Sequence, residues 1–155
     1  MAFRRIDIDQ YDEDIYSEEE ILADAESGRS VDEINSVVDA RATDVRNLLT
    51  RGNNSDALLK SLEDPPYGRN LESAKAKNIK TVVDVLNQFR ANDIPTAIKG
   101  LNLDQQDVLM KYLYAALSKP EQFNSGMILN WHEKLTEVAG PGSIVRVMTD
   151  KRTVF

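Results

Sequence analysis

From Ser30 onward, apolar residues recur every three or four positions. Val31, Ile34, Val38, Ala42, Val45 and Leu49 form the first such series, closed by Gly52. That spacing lines one stripe of an α-helix. Ser30 and Glu33 begin it with the three-residue interval of a capping box, in which two side chains satisfy the first free backbone amides. A second, short helix is predicted from Asp56 to about Glu63, with Leu58, Leu59 and Leu62 on its apolar face. Pro65-Pro66 follows, and proline lacks the amide needed to continue it. Ile79, Val82, Val83, Leu86 and Phe89 predict a third helix, roughly Leu71 to Arg90. Asn92-Asp93-Ile94-Pro95 reads as a cap followed by a first-turn proline, opening a short helix with Ile98 and Leu101. Asp104 is the expected cap of the next, which carries Val108, Leu109, Tyr112, Leu113 and Leu117 and stops before Pro120.

The stretch NWHEKLTEVAGPGS, residues 130–143, holds the only tryptophan and the only histidine of the chain, side by side. Asn124 or Ser125 can cap the helix that contains them. Met127, Ile128, Trp131, Leu135 and Val138 form its apolar stripe, so Trp131, with Ile128 and Leu135, points into the core or an interface. His132 falls at the edge of that stripe. HEKLTE lacks the second histidine of a zinc-protease helix, and no other histidine exists to complete a site. A packed or hydrogen-bonded histidine is therefore expected. Gly140 fits the position after a helix end, Pro141 prevents continuation, and Ser143 can cap a segment from Ile144 to Asp150. Periodicity alone leaves residues 144–148 between strand and helix. A lone strand would have no partner in an otherwise helical chain, so a helix is expected.

These pieces are short and separated by Asn, Asp, Pro and Gly. The expected fold is all-α, a compact stack of about seven short antiparallel helices. No phosphate-binding glycine pattern completes itself: Val145 stands where a dinucleotide fingerprint needs a third glycine. No cofactor is expected.

Charge divides the chain differently. The net charge is −7, and all of it lies in residues 1–29, where ten acids face Arg4, Arg5 and Arg29; the 16 acids and 16 bases that follow cancel. Phosphate contacts need clustered bases, so nucleic acid is not an expected partner. The densest basic group, Lys75, Lys77 and Lys80, is expected to be a solvated helix face. The absence of cysteine removes disulfides and thiolate chemistry. No apolar run approaches the ~20 residues of a membrane span, and the start lacks the apolar core of a signal peptide, so a soluble intracellular protein is expected. Residues 1–29 form an expected acidic arm, set against a helical body of residues 30–155. The arm lacks an apolar stripe of its own, yet Phe3, Ile6, Ile8 and Tyr11 punctuate its acids and offer anchors to a partner. Asp7, Asp9 and Glu18 fall at the first, third and twelfth places of a calcium loop, but Tyr11 replaces an oxygen ligand and Asp12 the turn glycine. No metal site is expected.

Several stretches taken in order resemble a known family. FRRIDIDQYDE (3–13), FRANDI (89–94), LMKYLY (109–114), LNWHEK (129–134) and GSIVRVMTDKRTV (142–154), with Asp64-Pro65-Pro66, are similar to subunit 5, the sixteen-kilodalton subunit, of the actin-related protein 2/3 complex. Residues 14–50 depart most, with a longer acidic and helical stretch. The resemblance implies an all-helical, non-catalytic structural subunit of a cytoplasmic assembly that nucleates branches on actin filaments. It also implies that the body docks on subunit 4 and near the WD-repeat propeller subunit, while the arm tethers actin-related protein 2. From the residues alone a second class stays open, a free-standing helical adaptor that binds peptide segments in a groove.

Overall fold

The computed structural model describes residues 29–68 and 70–154. Among them are seven α-helices and no strand: α1 (Val31–Thr50), α2 (Asn54–Leu62), α3 (Glu72–Leu86), α4 (Ile94–Lys99), α5 (Leu103–Leu117), α6 (Ser125–Ala139) and α7 (Gly142–Thr149). The fold is all-α, as expected, and residues 144–148 are helical.

Local chemistry sets most boundaries. The Ser30–Glu33 capping box is formed in both directions at the start of α1. The same helix ends in a Schellman turn: Gly52 has φ 79°, its amide donates to the Leu49 carbonyl, and the Asn53 amide donates to that of Leu48. Proline lies in the first turn of α4. Gly140, with φ 74° and ψ 170°, terminates α6 in a conformation that a Cβ would strain.

Several expectations need correction. Asn102, not Asp104, caps α5, because Gln105 stands three residues on and closes a second capping box. Of the two caps expected for α6, Asn124 is the one formed, accepting from the amides of Gly126 and Met127. Ser143 does not cap α7; it is buried and donates to the Gly140 carbonyl. α3 stops at Leu86, and Phe89 packs on the core from the turn beyond. Val31 and Val138, placed on apolar stripes, are exposed. Lys75 lies on the buried side of α3 rather than on a solvated face.

α5 is the spine. Leu109, Met110, Tyr112, Leu113, Ala115 and Ala116 are buried around most of its circumference, the pattern of a helix enclosed by others. It touches α2, α3, α6 and α7, while α1 lies against α2 and α3, and α4 against α6. Asp107 on α5 accepts from Arg146 on α7 at 2.6 and 2.8 Å, and Lys111 donates to Asp150 at 2.6 Å; both pairs span 39 residues. That shared offset means α7 runs alongside α5 in the same direction. One large core includes Leu58, Ile79, Leu86, Ile98, Leu113, Ile128, Trp131 and Val154. A separate small cluster, Ile34, Val38, Leu71 and Ala74, joins the first half of α1 to the start of α3.

Candidate functional site

The arm residues Phe3, Ile6, Ile8 and Tyr11 lie outside the described residues. Trp131, Ile128 and Leu135 project from one face of α6 at helical spacing and have no exposed surface. The indole meets Phe89 edge to face, with ring centroids 5.4 Å apart. Its Nε1 is buried and has no hydrogen-bond partner among the described residues. These three side chains build the core of the chain and do not form an exposed face.

His132 is half-buried beside them. Its Nε2 lies 3.1 Å from the Tyr114 hydroxyl, the two rings stand edge to face, and its carbonyl accepts from Thr136. Acid–base chemistry needs a base within reach of both a reacting group and an orienting partner. Among the described residues, the only side chain bonded to the ring is a phenol. Among the described residues, no three His, Cys, Asp or Glu side chains stand close enough to hold a metal ion, and no helix is long and apolar enough to cross a membrane.

Two polar networks tie the helices together. The first joins α1, the α2–α3 loop, α3 and α5. Arg41, 5% exposed, donates to Asn78 Oδ1 at 3.2 Å and to the Asp64 carbonyl at 2.9 Å, and Asn78 in turn donates to the Tyr112 hydroxyl. Burial pushes the Tyr112 phenol far above its ordinary range, against the opposing effects of the Asn78 bond and the Arg41 charge. It therefore stays protonated. Asp64, at φ 41°, also pairs with Arg29 at 2.5 Å, so the chain enters α1 against this loop.

The second network clasps the C-terminus. Lys111, buried on α5, donates to Asp150 Oδ2, to the Arg152 carbonyl at 2.9 Å and to the Tyr67 hydroxyl at 3.4 Å, with its ammonium 4.8 Å from the Tyr67 ring centre. Burial alone would raise the Asp150 carboxyl. The Lys111 hydrogen bond, the Arg152 amide and both positive charges outweigh that and lower it to about 2. Downstream of the clasp, Val154 is fully buried.

Three surface features remain. An apolar groove of about 200 Å³ between α2 and α4 is lined by Leu58, Leu59, Phe89, Ala97 and Leu101. A wider, shallow one of about 590 Å³ lies between α3 and the α5–α6 loop, with Val83 and Phe123 inside and Lys77 and Lys80 among its walls. Lys77 is already held by Asp39 at 3.0 Å. On α7, Val145 and Met148 are 61% and 64% exposed, more than any other large apolar residue described.

Sequence periodicity found the tryptophan stripe but missed Arg41 and Lys111. Arg41 follows Val38 by three and precedes Val45 by four, which places it on the buried stripe of α1. That spacing was the available signal. Its partners, 37 and 23 residues away, leave no local trace.

The chain has relatives that cover nearly all of its length. The family described as ARP2/3 complex 16 kDa subunit (p16-Arc) matches residues 2–154. Actin-related protein 2/3 complex subunit 5-C of Xenopus laevis is 37% identical over 152 residues, covering 98% of this chain and 94% of its own. The human subunit 5-like protein is 34% identical over 155 residues with the same coverage. Subunit 5 of Dictyostelium discoideum is 34% identical over 137 residues, 88% of this chain and 98% of its own. With identity of this order sustained from one end to the other, the chain belongs to the p16-Arc family of ARP2/3 complex 16 kDa subunits.

Proposed function

We propose that this chain is a non-catalytic structural subunit of the actin-related protein 2/3 complex, the assembly that nucleates branched actin filaments. Its helical body, from residue 30 on, docks on subunit 4 and beside the WD-repeat propeller subunit. Residues 1–29 tether actin-related protein 2 through Phe3, Ile6, Ile8 and Tyr11, and the complex works at branched networks of the cytoplasmic actin cytoskeleton. The observation that carries this reading is the extent of the family match, which takes in the arm as well as every helix. The body is suited to the role. Its interior is filled by apolar side chains, and the buried Arg41, Asn78 and Lys111 are engaged with one another's helices and loops in structural bonds.

Affinity purification of the tagged full-length chain from native extract, followed by gel filtration, tests the proposal. The chain should travel in a large stoichiometric assembly containing actin-related protein 2, subunit 4 and the WD-repeat subunit. Recovery mainly as a free monomer would overturn it in favour of the peptide-binding adaptor.

A further inference from the structure

One residue of the α2–α3 loop brackets the first half of α1. The Asp64 carboxylate pairs with Arg29, the residue before the Ser30 cap, at 2.5 Å. Arg41 donates to the Asp64 carbonyl at 2.9 Å, and its guanidinium also stands 3.8 Å from the carboxylate. Between Val31 and Arg41 lie about 15 Å of helix. Asp64 is 51% exposed, so its ion pairs alone hold little. The grip comes from the buried Arg41 and from the backbone: φ is 41°, uncommon for a residue with a side chain and kept only where neighbours impose it.

Three residues further on, the same loop is held from another side. Tyr67 packs on the main core and its hydroxyl accepts from Lys111 at 3.4 Å. The Lys111 ammonium and the Arg152 guanidinium stand 4.8 and 5.4 Å from the centre of its ring. Only Pro65 and Pro66 separate the two anchors, and Pro66 is buried. Their rings fix φ, and three residues span at most about 10 Å, so Asp64 and Tyr67 have little freedom to move independently. Lys111 also holds Asp150 and the Arg152 carbonyl. The polar network around Arg41 and the C-terminal clasp are thus joined by four residues.

We infer that Asp64-Pro65-Pro66-Tyr67 is a strut that couples the C-terminal clasp to the first half of α1. Releasing Tyr67 from Lys111 and Arg152 lets Asp64 shift, and that loosens Arg29 and Arg41 together. The stiffness of the point where residues 1–28 join the body is then governed from the far end of the sequence. The coupling belongs to the chain itself and holds whether or not the chain joins a larger assembly.

Amide hydrogen exchange on the full-length chain, read as opening equilibria, tests it. Tyr67→Leu keeps apolar bulk on the core and removes the hydroxyl and the ring; circular dichroism first establishes that each variant is folded. Amides from Ile34 to Ala40 should exchange about fivefold faster in Tyr67→Leu than in wild type, the size of effect expected between coupled groups. Ile128→Val, which weakens the core from α6, should leave those amides unchanged because they exchange by local opening. In an Asp64→Asn background, where the strut has lost its charge on Arg29 and Arg41, Tyr67→Leu should add only about twofold. Wild-type exchange over Ile34 to Ala40 in Tyr67→Leu, equal acceleration by Ile128→Val, or the full effect in both backgrounds would each overturn the strut. If Tyr67→Leu does not fold, Tyr67→Phe loses only the hydroxyl bond and should still accelerate the same amides about twofold; no change there overturns the inference as well.

Discussion

Replacing Lys111 with Met removes the charge from the C-terminal clasp while keeping a side chain of similar length. Three donated bonds disappear, to Asp150, the Arg152 carbonyl and the Tyr67 hydroxyl. Breaking a fully buried ion pair costs about 3 to 5 kcal/mol, and a hydrogen bond to a charged group contributes about 1.5 to 3. Asp150 is 26% exposed and can recover part of its hydration, which places the expected loss at the low end, about 2 to 3 kcal/mol. The pH dependence is the sharper signature. The Asp150 carboxyl titrates at about 2 when folded, against an ordinary 3.8. Between those values the unfolded chain binds more protons, so the contribution of this group is complete above about pH 4 and is lost as pH falls through about 2. In the variant, burial acts on the carboxyl without the Lys111 bond, and its titration should move up. Urea unfolding of both proteins across pH 2.5 to 6 measures the difference directly, and the other carboxylates cancel in the subtraction. The gap should be constant above about pH 4 and narrow below it. A loss under about 0.5 kcal/mol, the size of an ordinary surface change, or a gap that does not change with pH, would refute the clasp.

Trp131→Ala should destabilise the chain by about 3 to 5 kcal/mol in chemical unfolding, since a fully buried aromatic is lost and no hydrogen bond of its Nε1 is at stake. His132→Gln should cost far less and leave branch formation near wild type; an equal loss of activity from a folded, assembled His132→Gln complex would make the imidazole a functional group. Gly52→Ala should cost about 1 to 2 kcal/mol through its positive φ alone, because nothing stands within 4 Å of the added Cβ; an unchanged unfolding midpoint would contradict this. Replacing Ile6, Ile8 and Tyr11 together by Ala should loosen actin-related protein 2 on the purified complex as salt rises, each buried aliphatic being worth roughly 1.5 to 3 kcal/mol, whereas neutralising Glu18, Glu19 and Glu20 should not. Wild-type retention by the triple variant would reduce the arm to a solvated tail.

How much of this was legible beforehand depends on the range of the interaction involved. The helices were readable because the capping chemistry of Ser30 and the stripes of α1, α2 and α6 act within a few residues. Asn102 was readable too, since Gln105 completes its box, but Asp104 offered an equally good cap and local rules alone do not rank the two. Lys75 was misplaced because its charge suggested solvent, whereas it precedes Ile79 by four and so sits on the inner stripe, where a long aliphatic stem tolerates burial. The helix over residues 144–148 was expected only by elimination. A direct signal existed in the charges. Asp107 and Lys111 lie about 6 Å apart along α5, and Arg146 and Asp150 match that interval as a helix, while in a strand they would stand about 13 Å apart. Which two of many four-residue charge intervals pair, however, is decided by the packing of the core between them. For the candidate site, the burial of Trp131, Ile128 and Leu135 followed from spacing. Nothing local distinguished inward Val147 from outward Val145.

The division of α1 between two apolar clusters gives that helix a weak end. Its second half is anchored in the main core through Val45, while among the described residues its first half rests on the small cluster of Ile34 and Val38 against Leu71 and Ala74 and on the exposed Asp39–Lys77 pair. Arg41 sits at the boundary, bound to Asn78 and to the Asp64 carbonyl. A pull transmitted through the arm would reach the weak half first, and hydrogen exchange should show the amides before Arg41 opening at lower free energy than those after it. Each residue leaving the helix lengthens the chain by about 1.8 Å, so unwinding as far as Arg41 would pay out roughly 20 Å of line before the main core felt the load. The buried arginine would then be the brake on a short reel, limiting how far the first half of α1 unwinds under load.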